Sequence, residues 1–244
     1  MSSRVRAAVV GVDVGTSGVR ALLVDDRGEI VAQQTRGDGF EIAAPRPGWA
    51  EQQPERWWQA ACAAIGAVVA EAGTAFEVRA VGLTGQMHSS VFLDAQRRVL
   101  RPALLWCDGR TEAQCREIDE RLGGRTVALC GNLAFAGFTA PKLLWLREHE
   151  PERYAALDAL LLPKDFVRLR LADDSDDALC TDVSDASGTL LLDIGGRRWS
   201  AEVLEALEID AALLPRALES SEWSAEVGAA AAERCGLEPG TPIV

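Results

Sequence analysis

The sequence predicts one large domain in which β-strands and α-helices are mixed, an α/β fold. Two valine-rich runs, residues 7–14 and 19–24, flank a short segment with two glycines, which is the pattern of a β-hairpin. Between residues 54 and 73, apolar side chains recur at helical spacing. Residues 78–83 form a short apolar run typical of a buried strand. A length of 244 residues, 48% of them hydrophobic, is enough to bury a full core.

The composition excludes several classes of function. A formal net charge of −12 disfavours nucleic acid or an anionic membrane as the main partner. The six cysteines form no C-x-x-C pair, and two histidines without metal-ligand spacing argue against a zinc site, so we expect reduced thiols. Residues 1–8 lack the apolar segment of a signal peptide, and no apolar run is long enough to span a bilayer. We therefore expect a cytoplasmic protein.

The order of the elements follows from turn residues and periodicity. A turn at residues 26–28 and a third strand at 29–35 make the start of the chain an antiparallel meander. Pro54 suits the first position of a helix, and the spacing after it predicts about five turns, ending at Gly73. Further along, we predict helices at 108–121, 140–148, 163–171 and 229–234, a strand at 159–162 and a surface loop at 173–177. The final residues, Ile243 and Val244, resemble the beginning of a strand.

The turn after the first strand is a candidate phosphate site. Asp13 ends the strand and is followed by Gly15, Thr16 and Ser17. The backbone N–H groups of a glycine turn and two hydroxyls can approach a phosphate closely, and Asp13 can hold Mg²⁺ directly or through water. An ordinary glycine-rich hairpin explains the same residues equally well. The pattern is neither a P-loop nor a dinucleotide fingerprint.

A second candidate site directly follows the predicted strand at 78–83. Gln86, Met87 and His88 lie where α/β sheets present ligand-binding loops. Polar side chains and exposed backbone amides at this position suit a small ligand rich in hydroxyl groups. A lone histidine is more often structural than functional, so His88 carries little weight by itself.

A third candidate site combines an aromatic ring with opposite charges. Trp106, Asp108 and Arg110 offer groups that can stack on a sugar and form hydrogen bonds with it. The residues alone favour a simpler interpretation, in which Asp108 is a helix N-cap and Arg110 is a surface charge in the first turn. We likewise interpret Lys164-Asp165 and residues 182–189 as helix-entry and turn residues rather than catalytic groups.

In their order and spacing, seven segments of the chain together resemble the FGGY carbohydrate kinases, and the resemblance covers essentially the whole sequence. The segments are 11–19 (GVDVGTSGV), 48–52 (GWAEQ) with Trp57-Trp58, 85–88 (GQMH), 105–110 (LWCDGR), 137–145 (GFTAPKLLW), 162–165 (LPKD) and 182–189 (DVSDASGT).

The resemblance implies an actin-like, ribonuclease-H-like fold. Its sheet would be mixed and five-stranded, with the antiparallel meander next to parallel strands, and helices would flank it. Residues 1–244 would be the N-terminal, sugar-binding domain, and the ATP-binding domain that completes such a kinase would be absent from this chain. The turn after Asp13 and the loop at His88 should then face one cleft.

The resemblance also implies roles for individual residues, with ATP and Mg²⁺ as cofactors and a sugar as substrate. Asp13 would lie near Mg²⁺ and the transferred phosphoryl group, with Thr16 in the phosphate turn. Met87 and His88 would contact the sugar, and this pair points to xylulose because glycerol kinases are expected to carry Arg-Glu there. Cys107 stands where related kinases commonly have asparagine.

The family's catalytic base is an aspartate that lies beyond Val244, after the strand that begins near the end of this chain. We therefore expect residues 1–244 alone to bind sugar without transferring phosphate. We also expect self-association as a homodimer through the face that a second domain would cover. Three alternatives stay open: a sister kinase for another sugar or polyol, a non-catalytic sugar-sensing or interaction domain, and a hydrolase on the same scaffold.

Overall fold

The computed structural model describes residues 5–244, which form one mixed six-stranded sheet, smaller two-stranded sheets and surrounding helices. Residues 1–4, part of the segment considered for a signal peptide, lie outside the described residues. The strands are β1 (Arg6–Val14), β2 (Val19–Asp25), β3 (Ile30–Arg36), β4 (Glu51–Gln52), β5 (Phe76–Gly85), β6 (Val91–Leu93), β7 (Ala103–Leu104), β8 (Ala159–Leu161), β9 (Cys180–Asp182), β10 (Leu192–Asp193), β11 (Arg198–Trp199), β12 (Arg216–Leu218), β13 (Ala225–Glu226) and β14 (Pro242–Ile243).

The helices cover one face of the main sheet and build a second layer beyond it. They are α1 (Pro54–Ala72), α2 (Glu112–Arg121), α3 (Thr126–Cys130), α4 (Thr139–His149), α5 (Pro151–Ala155), α6 (Pro163–Leu171), α7 (Val183–Ala186), α8 (Ala201–Leu207) and α9 (Ala229–Cys235). Short 3₁₀ turns occur at Gly73–Ala75, Asp176–Ala178, Ser187–Thr189 and Ala211–Leu213. Among residues 5–244, no helix has the length and apolar character needed to cross a membrane.

The main sheet has the strand order β13-β14-β5-β1-β2-β3. β1, β2 and β3 form the predicted antiparallel meander, and the hairpin register pairs Val14 with Val19. β1 also pairs with β5 in parallel, so Asp13 stands opposite Thr84 and Val14 opposite Gly85. Because two neighbouring parallel strands end at the same edge, the loops that follow them emerge side by side.

The first core lies between the main sheet and α1. Every second residue at the end of β1 is buried, including Val10, Val12 and Val14, as expected for a strand with one covered face. α1 begins with Pro54 at its first turn and buries Trp57 and Ile65 completely against this face. Its length of 19 residues confirms the predicted five turns.

A second hydrophobic core supports the loops on which the predicted site residues lie. α2, α4 and α8 pack together around a set of buried aliphatic and aromatic side chains. The main members are Phe92, Leu104, Ile118, Leu143, Leu144, Trp145, Leu160, Leu191, Val203 and Leu207. All six cysteines are unpaired.

Several predicted boundaries differ from the structure. The sheet has six strands rather than five, because the two-residue β13 extends it beyond β14. The predicted helix at 108–121 begins only at Glu112, since residues 108–111 form a loop that buries the side chain of Asp108. β5 is half-buried rather than buried, and at the edge away from β1 it pairs with the short β14, where Ile243 lies opposite Val81. The predicted strand at Ile243 is confirmed by this pairing.

The close approach of the turn between β1 and β2 to the end of β3 provides a test of the fold. A side chain at Gly18 would place Cβ 2.7 Å from the carbonyl oxygen of Arg36, whereas nothing lies within 4 Å of a Cβ at Gly11. We expect Gly18→Ala to lower the free energy of unfolding by about 1–3 kcal/mol through overpacking. Gly11→Ala is the control and should leave it unchanged or slightly raised. Urea denaturation measures both, and equal stabilities of the two variants would contradict the described approach of Gly18 to the end of β3.

Candidate functional site

Two adjoining cavities open at the edge of the sheet where β1 and β5 end. Their volumes are about 390 and about 320 Å³. Leu83, Thr84, Ser220 and Val244 line both cavities; Met87 lines only the larger one, and Asp13 only the smaller one. Asp13 and Met87 therefore border one cleft, whereas His88 and the turn residues 15–17 line neither cavity, so a common cleft for the whole turn and the loop at His88 stays a prediction.

The phosphate-site candidates lie on the turn between β1 and β2. Asp13 is exposed at the end of β1, and no hydrogen bond or ion pair within residues 5–244 engages its carboxylate. The N–H of Gly15 donates to the carbonyl of Gly18 at 3.0 Å, which closes a tight turn. Ser17 is exposed and Thr16 is half-buried. A carboxylate without a protein partner beside such a turn is chemically suited to a metal-bound phosphate. The geometry is compatible with the predicted roles of these residues, which stay predictions.

Hydrogen bonds tie this turn to the other two candidate segments. The Thr16 hydroxyl donates to Oε1 of Gln86 at 3.2 Å and accepts from the indole Nε1 of Trp106 at 3.0 Å. The carbonyl of Thr16 accepts a further hydrogen bond from Nε2 of Gln52 at 2.8 Å. Three segments that are distant in sequence thus converge on one threonine. The Nε2 group of Gln86 is buried and has no partner among the described residues.

The sugar-site candidates Met87 and His88 differ in exposure. The Met87 side chain is 49% exposed in the cleft, whereas His88 is half-buried and its ring lies 4.4 Å from the ring of Phe138. Burial lowers the pKa of His88, and the positive charge of Lys142 lowers this pKa further. The imidazole is therefore neutral at pH 7 and can both donate and accept a hydrogen bond.

Asp108 and Arg110 are buried, which makes the N-cap and surface-charge interpretation wrong. Both side chains are about 1% exposed or less, and helix α2 begins after Thr111 instead. Asp108 accepts the N–H of Ala50 at 2.6 Å, while Arg110 forms ion pairs with Asp108 and Glu51, both at 2.7 Å.

The same guanidinium stacks over an aromatic ring. The carbon at the centre of the Arg110 guanidinium lies 3.6 Å from the centroid of Trp49. Arg101 adds a second buried cation that pairs with Glu51. That Asp108 and Arg110 contact a sugar directly stays a prediction. Because both side chains are buried, they support the loop. Trp106, 44% exposed, is the member of this segment that presents its surface to solvent.

Sequence reasoning missed a charged cluster on the wall of the larger cavity. The Lys164 ammonium lies 2.6 Å from Asp165, 2.9 Å from Asp182 and 3.2 Å from Asp185, and it is buried. Burial raises the pKa of Asp185 to about 6, an effect that Lys164 partly offsets. The predicted turn role of Asp182 is confirmed, because its carboxylate accepts the N–H groups of Ser184 and Asp185 at the start of α7. The carboxylate of Asp182 therefore both caps α7 and lines the larger cavity.

No group of three or more histidine, cysteine, aspartate or glutamate side chains is arranged as metal ligands within the part of the chain that the structure describes. A role of Asp13 as a Mg²⁺ ligand stays a prediction, and a single carboxylate is compatible with it, because Mg²⁺ keeps several waters and binds one or two carboxylates together with substrate phosphates.

Curated relatives match most of this chain in sequence. The chain is 44% identical to a xylulose kinase from Escherichia coli (strain K12) over 213 residues, which are 87% of this chain and 42% of that protein. It is 39% identical to a xylulose kinase from Klebsiella pneumoniae over 230 residues, or 94% of this chain and 46% of the relative. The chain therefore spans about half the length of the curated relatives it matches.

Solved structures share its fold. A crystal structure of xylulose kinase from Rhodospirillum rubrum matches 97% of this chain and 48% of its own, with a TM-score of 0.89 and 27% identity. A crystal structure described as a xyloylose kinase from Brucella ovis matches with a TM-score of 0.88 and 37% identity, covering 97% of this chain and 48% of that one. The actin-like, ribonuclease-H-like architecture of FGGY sugar kinases is thereby confirmed. Residues 8–244 match the family model for the N-terminal domain of the FGGY family of carbohydrate kinases, and the chain belongs to this family.

Proposed function

We propose that this domain supplies the sugar-binding half of an ATP-dependent kinase that converts xylulose to xylulose 5-phosphate. The observation that carries the proposal is the shared cleft, in which the strand ends at Asp13 and Met87 meet. Membership of the carbohydrate kinase family and the printed names of the relatives support the same reaction.

The sugar end of the proposed site offers neutral and apolar groups. The exposed faces of Met87 and Trp106 can cover the carbon chain of a pentulose, and the neutral His88 can exchange hydrogen bonds with its hydroxyls. Ser184 and Ser220 line the larger cavity and add two hydroxyl groups. A small polyhydroxylated ligand needs this mixture of apolar surface and well-placed polar atoms.

The phosphoryl end of the proposed site lies at Asp13. The turn at Gly15 and Thr16 positions the phosphate, and Asp13 would hold Mg²⁺, which supplies neutralisation of phosphate charge when bound. The adenosine site and the carboxylate that takes the proton from the sugar hydroxyl belong, in this proposal, to parts of the enzyme outside residues 1–244. Phosphoryl transfer depends mainly on positioning and charge stabilisation, so a domain without these parts should not turn over. Self-association of the domain stays a prediction.

Binding of xylulose to residues 1–244 tests the sugar site. A pentulose has about ten heavy atoms, and at roughly 0.3–0.5 kcal/mol per atom we expect a dissociation constant near the millimolar range. NMR titration or calorimetry measures it. His88→Ala should weaken binding about tenfold through loss of hydrogen bonds. The control is His149→Ala, because His149 stacks on Trp145 away from the cleft. A folded sample that does not respond to xylulose, or equal losses in both variants, would contradict the proposal; glycerol in the same assay tests the sister-kinase alternative.

Phosphoryl transfer by residues 1–244 tests the division of the enzyme into two halves. With ATP, Mg²⁺ and xylulose, we expect no xylulose 5-phosphate above the uncatalysed background, since positioning effects worth roughly 7–11 kcal/mol are lost with the other half. A coupled assay for ADP together with mass spectrometry of the sugar measures the product. Turnover that persists after purification to constant specific activity would show that this domain carries the base itself.

A further inference from the structure

The chain uses lysine at two positions only. Lys142 and Lys164 are the two lysines, and the other 23 of the 25 lysine and arginine residues are arginines. Both lysines are buried, with 0% and 5% exposure, whereas arginines occur both on the surface and in buried positions such as Arg101 and Arg168. Lysine differs from arginine in presenting a compact ammonium with three donors rather than a planar fork. At these two buried positions the chain thus uses a compact ammonium, unlike the guanidinium groups that it buries elsewhere.

Lys142 lies on α4 and reaches the loop of the proposed sugar site. Its Nζ donates to the carbonyl of His88 at 2.9 Å and to the carbonyl of Gly137 at 2.6 Å. The hydroxyl of Thr139, one turn earlier on α4, donates to the same His88 carbonyl at 3.1 Å. Two donors from one helix thus fix the peptide that follows the imidazole.

This arrangement is costly for the folded chain. The direct partners of the ammonium are carbonyl oxygens, and the attraction of Asp108 acts on it at longer range. Burial lowers the pKa of Lys142 to about 7, which shows how strongly the charged form is disfavoured. An apolar side chain of similar length would avoid this penalty. The ammonium therefore needs an explanation beyond packing.

His88 provides the explanation, since its backbone is strained. Its φ angle is 62°, in the left-handed region that non-glycine residues rarely adopt. The imidazole lies against Phe138 on one side and Gly188 on another. A Cβ at Gly188 would lie 2.3 Å from Cε1 of His88, so the ring occupies the space that a side chain would take.

We propose that Lys142 and Thr139 are positioning residues that hold His88 in its left-handed conformation, and that Gly188 provides the space into which the imidazole fits. The sugar then meets a ring whose direction is set before binding, which limits the entropy lost when the ligand is ordered. This inference rests on the proposed function of the cleft. It assigns Lys142 no contact with the sugar.

The ligand-free chain tests the positioning directly. Because the chain contains two histidines, an imidazole NMR spectrum reports on His88 with His149 as an internal reference. We expect the Cε1–H signal of His88 to shift or broaden in Lys142→Met and, less strongly, in Thr139→Val, while the His149 signal stays in place. Thr126→Val is the matched control: Thr126 is buried and donates one hydrogen bond, to Asp119, away from His88.

Sugar affinity tests the consequence of the positioning. Loss of the two hydrogen bonds from the Lys142 amine should weaken xylulose binding by about tenfold in Lys142→Met. Gly188→Ala displaces the ring without touching either donor, so it should move the same NMR signal and weaken binding similarly. If Lys142→Met does not fold, Thr139→Val and Gly188→Ala decide the question.

The outcomes separate the positioning from the proposed function. An unchanged His88 signal in the folded Lys142→Met and Thr139→Val variants, or an effect equal to that of Thr126→Val, would overturn the positioning role. Unchanged xylulose affinity in variants whose His88 signal has moved would overturn its consequence for the sugar. A shifted His88 signal in a chain whose unmodified form does not bind xylulose would uphold the positioning and remove the proposed function.

Discussion

The parallel pairing of β1 with β5 is the constraint on which the site depends. This pairing sets Asp13 opposite Thr84 and brings Gly85 so close to β1 that a Cβ would lie 2.9 Å from the carbonyl oxygen of Val14. The next amide, that of Gln86, donates to the same carbonyl at 2.9 Å and continues the pairing past the end of the strand. A register shift of one residue would turn Asp13 towards the opposite face of the sheet. The cleft therefore follows from strand register before any side chain contributes to it.

Buried charge then fixes the loops that the sheet alone leaves free. The segments at residues 48–52 and 105–110 are joined through Arg110, whose guanidinium pairs with Glu51 and Asp108 and stacks on Trp49. Breaking one partner of a buried pair leaves an uncompensated charge, so such a network tolerates few alternative loop conformations. The aromatic and hydroxyl groups that face the cleft are in this way attached to a rigid support. That rigidity agrees with a site whose chemistry depends on positioning.

The sequence allowed accurate prediction where a local signal was sufficient. The meander, the helix from Pro54 and the helix at Pro163–Leu171 follow from glycine turns, proline positions and apolar spacing, and the loop at Met87 and His88 follows from its place after a strand. Burial of single charged residues has no such signal. Lys164 next to Asp165 looks the same in sequence whether the pair begins an exposed helix or lines a cavity. Asp108 accepts a hydrogen bond from the N–H of Arg110, and such a local bond is expected for an exposed aspartate as well as for a buried one. Short strands such as β9 and β12 pair across long separations that periodicity does not reveal.

The distribution of charge in the cleft gives its two ends different chemical character. At the larger cavity, the carboxylates of Asp182 and Asp185 pair with the Lys164 ammonium, and hydroxyls and apolar surface complete the lining. At the smaller cavity, Asp13 has no such partner among residues 5–244, and the chain as a whole carries −12. A nucleotide triphosphate approaching this end would meet repulsion unless a divalent cation lay between phosphate and carboxylate. The proposed requirement for Mg²⁺ thus follows from charge at Asp13.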